Sequence, residues 1–137
     1  MKTLLNPYIA FKDNARQAME FYHSVFGGKL DINTFGDSHA SPDPSYDDKI
    51  MHARLEADNG IVFMAADTPP GMEYKGICGM SVSLSGDNKE ELEAYFSKLA
   101  EGGTVMQPLV KADWGDSFGM LSDKFGVTWL VNISDKK

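Results

Sequence analysis

The hydrophobic pattern of the chain first predicts an amphipathic helix over residues 15–26. Between Ala15 and Phe26, apolar side chains recur three and four residues apart. Asp13-Asn14 precedes this run, and short polar side chains of this kind cap helix N-termini. Gly27-Gly28 follows the run and provides a C-terminal stop. The pattern therefore predicts a helix that buries one face.

A second helix with the same boundary signals is predicted between residues 88 and 102. Asp87-Asn88 offers its N-cap, and Gly102-Gly103 marks its end. The apolar residues between these signals again fall on one helical face, and they are Leu92, Tyr95, Phe96 and Leu99.

Outside the two helices the apolar pattern has the period of two that is typical of strands. Asp58-Asn59-Gly60 and Asp123-Lys124-Phe125-Gly126 join two pairs of strands as tight hairpin turns. The predicted strands cover residues 4–11, 29–35, 50–57, 61–66, 78–85 and 104–109, with two more inside 114–132.

The order strand, helix, three strands thus occurs twice, and single residues repeat with it. Asp13-Asn14 recurs 74 positions later as Asp87-Asn88, and Gly28 recurs as Gly102. The hairpin glycines Gly60 and Gly126 are 66 positions apart. We therefore predict an α+β fold of two βαβββ modules. Because each helix covers only one face of its sheet, the other faces are expected to form a curved mixed sheet around a cavity.

The Pro-Pro-Gly segment after residue 68 is the best linker in the sequence. It predicts module 1 at about residues 1–68, a linker at about 69–76 and module 2 at about 77–137. A chain of 137 residues with 42% hydrophobic residues is expected to form one domain, 1–137.

A different composition marks residues 36–49, which contain His39, Pro42, Pro44 and four aspartates. This composition predicts a solvated loop that acts as a lid or an interface element.

Charge and cysteine content narrow the functional classes. The formal net charge is -7, with 20 acidic and 13 basic residues and no basic run, so nucleic acid is not an expected partner. Cys78 is the single cysteine; it is expected to be a small core side chain in a reducing, cytoplasmic protein. No segment approaches the about 20 apolar residues of a membrane span, so no membrane partner is expected.

Several groups of residues carry a resemblance to a known superfamily. They are Pro7-Tyr8, Ala18-Met19-Glu20-Phe21-Tyr22, Phe26-Gly27-Gly28, Met51-His52-Ala53, Trp114-Gly115, Phe118-Gly119 and Asp123-Lys124-Phe125-Gly126-Val127-Thr128-Trp129. In these groups the chain resembles the vicinal oxygen chelate superfamily, the glyoxalase, bleomycin-resistance and extradiol dioxygenase fold. Within it, the chain is most similar to the PhnB-like branch, which carries a 3-demethylubiquinone 3-methyltransferase-like label. The resemblance covers nearly the whole chain and implies the fold and a homodimer.

The resemblance also implies four positions at which enzymes of the superfamily bind a divalent metal through His and Glu. In this chain those positions are about Pro7, Met64, Ser81 and Leu130. A hydroxyl is the one oxygen donor among these side chains, whereas zinc, magnesium and calcium need several N, S or O ligands. We therefore expect neither a metal nor a cofactor.

Nine residues are candidates for lining a ligand-binding cavity. Asn132 is the best polar anchor on the face of the last strand that carries Leu130. Trp114 and Phe118 suit stacking on a planar or apolar ligand, and plain core packing is the alternative for both. Methionines on strands, such as Met64, Met80 and Met120, are expected in the core. The full set is Tyr8, His52, Arg54, Met64, Ser81, Trp114, Phe118, Leu130 and Asn132.

His52 is the weak candidate for a catalytic residue, as a general base or a substrate contact, with a hydrogen-bonded histidine at the sheet rim as the alternative. The hairpin register decides its face. A two-residue turn would place Leu55 opposite Met64, whereas a three-residue loop would place Arg54 there and bring His52 to the cavity side.

Three functions follow from this sequence. The first is metal-independent binding of a small, partly apolar molecule. The second is a glyoxalase- or dioxygenase-type enzyme with a displaced metal site that uses His52. The third is a structural dimer without a ligand. The sequence contains no complete catalytic constellation and does not identify the substrate.

Overall fold

The computed structural model of the protein describes residues 3–38, 43–69 and 71–135. The chain divides into two compact units, which consist of residues 1–77 and 78–137. Each unit contains its own sheet and its own long helix.

Unit 1 is a four-stranded mixed sheet with a helix on one face. The strands lie in the order β1-β4-β3-β2, with β1 parallel to β4 and the other pairs antiparallel. Its elements are β1 (Tyr8–Phe11), α1 (Ala15–Phe26), β2 (Lys29–Thr34), the short helix α2 (Phe35–Ser38), a 3-10 turn (Pro44–Tyr46), β3 (Ile50–Glu56) and β4 (Val62–Asp67).

Unit 2 repeats this topology. Its strand order is β5-β8-β7-β6, again with one parallel pair, β5 and β8. Its elements are β5 (Val82–Gly86), α3 (Lys89–Ala100), β6 (Thr104–Lys111), β7 (Ser117–Ser122) and β8 (Thr128–Ile133). The predicted α+β architecture with two βαβββ modules is confirmed.

One face of each sheet packs against its helix, as the alternating pattern predicts. In unit 1 the Phe63 ring contacts the rings of Tyr22 and Phe26 from α1, at centroid distances of 5.4 and 5.9 Å. In unit 2 the four predicted stripe residues of α3 are all buried, as is Trp129 of β8. Both predicted helices are confirmed within a residue of their expected ends.

The N-terminus of α1 is capped differently from the prediction. Asn14 occupies the N-cap position, but its side chain makes no capping hydrogen bond. Asp67, at the end of β4, instead accepts hydrogen bonds from the backbone N–H of Ala15 at 3.0 Å and of Ile50 at 2.8 Å. A buried carboxylate thus joins the start of the helix to the start of β3. In α3 the predicted cap is present, since Asn88 accepts from the Glu91 N–H at 3.1 Å.

The number of residues that separates equivalent positions of the two units differs between the first strands and the helices. Tyr8 pairs with Met64, and Ser83 pairs with Leu130, so β1 and β5 correspond at an offset of 75. Helices α1 and α3 begin 74 positions apart. Strand β5 is therefore shifted by one residue relative to the helix-based prediction, whereas β8 keeps the predicted offset of 66 from β4.

The same shift corrects the glycine equivalence. A Cβ at Gly28 would lie 2.2 Å from the Glu56 carbonyl oxygen, and a Cβ at Gly103 would lie 2.2 Å from the Ser122 carbonyl oxygen. Gly103, rather than Gly102, is therefore the structural counterpart of Gly28.

Two further sequence predictions are wrong. Strand β5 begins at Val82, so Cys78 and Met80 precede it. Both side chains are exposed, Met80 to 79%, and neither is a core residue. Residues 71–81 also form neither helix nor strand. This agrees with the backbone of Gly71, Gly76 and Gly79, whose φ angles lie in the left-handed region.

The described residues of the acidic segment 36–49 make several local contacts. It includes the end of α2 and the 3-10 turn, where Asp43 accepts from the Ser45 N–H at 3.0 Å. The Ser45 hydroxyl also donates to Asp43, at 2.8 Å, and the two hydrogen bonds from Ser45 lower the pKa of Asp43. Lys49 bonds Asp13, which raises the pKa of Lys49, and its ammonium lies 5.1 Å from the centre of the Tyr46 ring. His39 lies outside the described residues.

Candidate ligand-binding site

The sheet face of unit 1 that does not contact α1 carries four of the predicted site residues. The register places Tyr8, Met64 and Arg54 side by side on β1, β4 and β3. Tyr8 is 53% exposed, and the partial burial of its phenol raises its pKa. Arg54 makes an ion pair with Glu56 on the same strand at 3.1 Å.

The β3–β4 hairpin has a three-residue loop, which resolves the position of His52. Ala57 N–H donates to the Ile61 carbonyl, and Arg54 lies opposite Met64. His52 therefore shares the open face with Met64, and its Nε2 lies 3.3 Å from the Met64 sulfur. The Tyr8 and His52 rings are 5.8 Å apart, in a tilted arrangement. The contacts of His52 are thus a thioether and an aromatic ring.

The strand register changes two of the four residues at the metal positions that the resemblance implies. Tyr8 is paired with Met64 in unit 1, and Ser83 is paired with Leu130 in unit 2, so these four residues occupy the positions. Ser81 is exposed and precedes β5. A phenol, a thioether, a hydroxyl and an alkyl group do not match the imidazole, thiolate and carboxylate ligands that bind such divalent metals. Among the described residues, no three His, Cys, Asp or Glu side chains group closely enough to hold a metal ion.

The open face of unit 2 carries a more apolar set of predicted residues. Leu130 on β8 pairs with Met120 on β7, and Asn132 pairs with Phe118 two residues further along. Since residues two apart along a strand point to the same face, all four side chains share one surface. Phe118 in turn pairs with Val110 on the edge strand β6.

An open groove of about 390 Å³ lies at the β6–β7 end of this face. Its apolar lining consists of Val110, Ala112, Trp114, Phe118 and Met120, and its polar lining consists of Gln107, Lys111 and Asp113.

Trp114 lies in the turn that closes this groove. Ala112 N–H donates to the Asp116 carbonyl, and Gly115 N–H donates to the Ala112 carbonyl, as in the other two hairpins. Trp114 is 66% exposed, and its ring centre lies 5.9 Å from that of Phe118. The core-packing interpretation of Trp114 is therefore wrong, whereas Trp129, 1% exposed, is a core residue.

Asn132 is engaged within the protein rather than open to a ligand. Its Nδ2 donates to Asp116 Oδ2 at 3.0 Å, and Asp116 Oδ1 accepts from the Asp135 N–H at 3.2 Å. Since Asp116 ends the Trp114 turn, this hydrogen bond fixes the turn to β8. Asn132 thus positions the groove wall.

Sequence reasoning missed several groove residues, among them Gln107, Lys111 and Asp113, and it missed Asp116 in the adjoining turn. A signal for the turn was present, because Asp113-Trp114-Gly115 has the same Asp-x-Gly pattern as Asp58-Asn59-Gly60. No sequence signal indicated that β6 extends to Lys111, two residues beyond the predicted strand end.

Two βαβββ units of this topology define the glyoxalase/bleomycin-resistance class of fold. A crystal structure described as a glyoxylase/bleomycin resistance protein/dioxygenase domain from Frankia sp. EAN1pec superposes with a TM-score of 0.66 at 12% identity, covering 98% of each chain. This similarity confirms the predicted fold class.

The family follows from closer relationships. A family model described as 3-demethylubiquinone-9 3-methyltransferase matches residues 3–132, and the chain belongs to this family. The protein PA1353 from Pseudomonas aeruginosa is 45% identical, with a TM-score of 0.84, over 97% of this chain and 98% of that one. A PhnB protein from Bacillus cereus, described as a putative 3-demethylubiquinone-9 3-methyltransferase, is 27% identical with a TM-score of 0.75, over 96% of this chain and 100% of that one. The PhnB-like resemblance is thereby confirmed.

No helix in the described part of the chain has the length and apolar character needed to cross a bilayer.

Proposed function

We propose that this protein binds a small, partly apolar molecule without the metal that the superfamily's enzymes use. The observation that carries the proposal is Trp114, an exposed indole held by backbone hydrogen bonds in the turn beside a groove that is lined by both apolar and polar side chains. A large aromatic side chain exposed to water forgoes the stabilisation of burial. A planar ligand that stacks on the Trp114 ring would recover this stabilisation, because it would cover the ring from water.

The donor set supports the metal-independent form of the proposal. The side chains at the four implied metal positions are Tyr8, Met64, Ser83 and Leu130, and they do not fit a divalent cation. Apolar contacts and aromatic stacking therefore provide the binding energy in this proposal, and Met120 adds a flexible side chain that adapts to ligand shape.

The binding proposal predicts the effect of Trp114→Ala. Methylnaphthalene, a planar apolar probe, should raise the melting temperature of the wild-type protein, because it binds the folded state alone. In Trp114→Ala its dissociation constant should rise about tenfold, since the stacking surface is lost. Isothermal titration calorimetry and thermal shift would measure both effects.

Met72→Ala is the matched control, because Met72 is 67% exposed and lies in unit 1, outside the groove. The affinity of the Met72→Ala variant for methylnaphthalene should equal that of the wild type. Equal affinity in Trp114→Ala and the wild type would overturn the proposed binding site.

An enzyme that uses His52 is the second candidate, and the hairpin register is the observation that favours it. The register places His52 on the open face beside Tyr8 and Met64, within reach of a molecule bound there. In this alternative a displaced metal site includes the His52 ring.

Elemental analysis separates the two candidates. We expect protein purified without chelator to contain no stoichiometric zinc, manganese, iron or nickel, because no three His, Cys, Asp or Glu side chains in the described part of the chain group closely enough to hold a metal ion. A stoichiometric metal that is lost in His52→Ala and kept in His23→Ala would contradict the metal-free proposal. His23 is the matched control because its Nε2 contacts the Gly28 carbonyl at the end of α1.

The proposal also includes a homodimer in the cytoplasm. Both sheets have edge strands, β1 and β2 in unit 1 and β5 and β6 in unit 2, and a second copy would cover such edges. Sedimentation equilibrium would test the dimer. A dimer that no planar probe and no divalent ion stabilises would favour the structural alternative.

A further inference from the structure

The charges around the groove of unit 2 have one predominant sign. Asp113 lies in the groove lining, and Asp116 and Asp135 lie beside the Trp114 turn, where Asp116 accepts from the Asp135 N–H. Lys111 is the basic residue of the lining, and its Nζ lies 3.5 Å from Asp135 Oδ2. Three carboxylates and one ammonium group thus lie in or beside the groove.

Asp113 is the carboxylate best placed to act on a ligand. It precedes Trp114 in the turn, and among the described residues it makes neither an ion pair nor a hydrogen bond. The charge of Lys111, by contrast, is partly balanced by Asp135. The groove therefore presents an uncompensated negative charge next to an exposed indole face.

We propose that the ligand of this groove is a planar aromatic cation. This inference rests on the binding function proposed above and adds the charge of the ligand. A cation stacked on Trp114 gains from the negative face of the indole as well as from the carboxylates. The net charge of -7 on the chain favours the approach of cations and disfavours that of anions.

An anionic ligand is the alternative that Lys111 would support. Such a ligand would compete with Asp135 for the ammonium group and would approach Asp113 and Asp116 as a like charge. Because both the repulsion and the competition act against it, the observed charges favour the cation.

Three probes of nearly equal shape test the charge. N-methylquinolinium is a permanent cation, methylnaphthalene is its neutral isostere, and naphthoate is an anion of similar size. Binding can be followed by fluorescence, because Trp114 is exposed and Trp129 is 1% exposed. We expect the cation to bind about fivefold tighter than the neutral probe at low ionic strength, since exposed charge pairs give modest energies. The preference should decline as salt is added.

Asp113→Asn should reduce the ratio of cation affinity to neutral affinity to about one-half of its wild-type value or less. Asp58→Asn is the matched control, because Asp58 occupies the same position in the β3–β4 turn and is also exposed. In Asp58→Asn the ratio of cation affinity to neutral affinity should equal that of the wild type.

The outcomes separate this inference from the binding proposal. Binding of methylnaphthalene with an equal or weaker affinity for the cation would overturn the inferred charge and leave the proposed function standing. Tighter binding of naphthoate would have the same meaning and would assign Lys111 as the ligand contact. Failure of all three probes to quench Trp114 would overturn both proposals.

Discussion

Replacing Asp123 by alanine is expected to lower the free energy of unfolding by about 4 kcal/mol. Asp123 is 4% exposed and accepts three hydrogen bonds. Its Oδ1 accepts from the N–H groups of Phe125 at 2.8 Å and Val127 at 3.1 Å, and its Oδ2 accepts from Trp129 Nε1 at 2.9 Å. Alanine would leave these donors unsatisfied, two of them in buried positions. Urea unfolding followed by circular dichroism would measure the change.

Two variants make this prediction specific. Asp123→Asn keeps one acceptor oxygen but turns an amide N–H₂ toward a donor, so it should cost about 2 kcal/mol. Asp58→Ala removes an exposed carboxylate from the equivalent type of turn and should change stability by less than about 0.5 kcal/mol. A loss below about 1 kcal/mol in Asp123→Ala would show that water replaces the carboxylate and that the hairpin does not depend on it.

Gly28→Ala is expected to destabilise the protein by a similar amount, about 4 kcal/mol, for a steric reason. Gly28 has a φ of 86°, and an alanine Cβ there would lie 2.2 Å from the Glu56 carbonyl oxygen and 2.5 Å from Ala57 Cα. Both contacts are with backbone of the adjacent strand, which cannot move aside as a flexible side chain can. Urea unfolding would again measure the loss.

Two other glycines separate the contributions of φ and of contact. Gly60 has a φ of 91° with nothing within 4 Å of a Cβ, so Gly60→Ala should cost about 1 to 2 kcal/mol from backbone conformation. Gly103 lies outside the left-handed region but has the 2.2 Å contact with the Ser122 carbonyl, so Gly103→Ala should cost about 1 to 3 kcal/mol from overlap. If Gly28→Ala cost no more than Gly60→Ala, the close approach to Glu56 would not be a constraint.

The two buried carboxylates show a limit of the internal repeat as a guide. Asp67 and Asp123 each organise a junction in their own unit. Yet Asp123 corresponds to Ala57, at the hairpin offset of 66, and Asp67 corresponds to Ile133. The repeated topology therefore does not require either carboxylate. Each is instead matched to the donors around it, which are backbone N–H groups for Asp67 and backbone N–H groups together with Trp129 Nε1 for Asp123.

The candidate site was predicted in part. Strand alternation correctly placed Leu130 and Asn132 on one face of β8, because side chains two residues apart must share a face. It could not show that Asn132 is bonded to Asp116, since that contact joins a residue of β8 to a residue of the β6–β7 turn. The register of His52 was likewise open, because one residue more or less in a turn reverses the face of a whole strand.

The sequence by itself determined the two helices, the tight hairpins and the duplicated order of elements. These features follow from local preferences, namely apolar periodicity, capping residues and glycines with positive φ. Such preferences act between residues that are close in sequence and do not need distant partners. Only the tertiary structure decided the one-residue shift of β5 relative to the helices, the cap that Asp67 gives to α1 and the exposure of Trp114. Each of these depends on which backbone or side chain from a distant part of the sequence lies alongside, and local pattern carries no information about that.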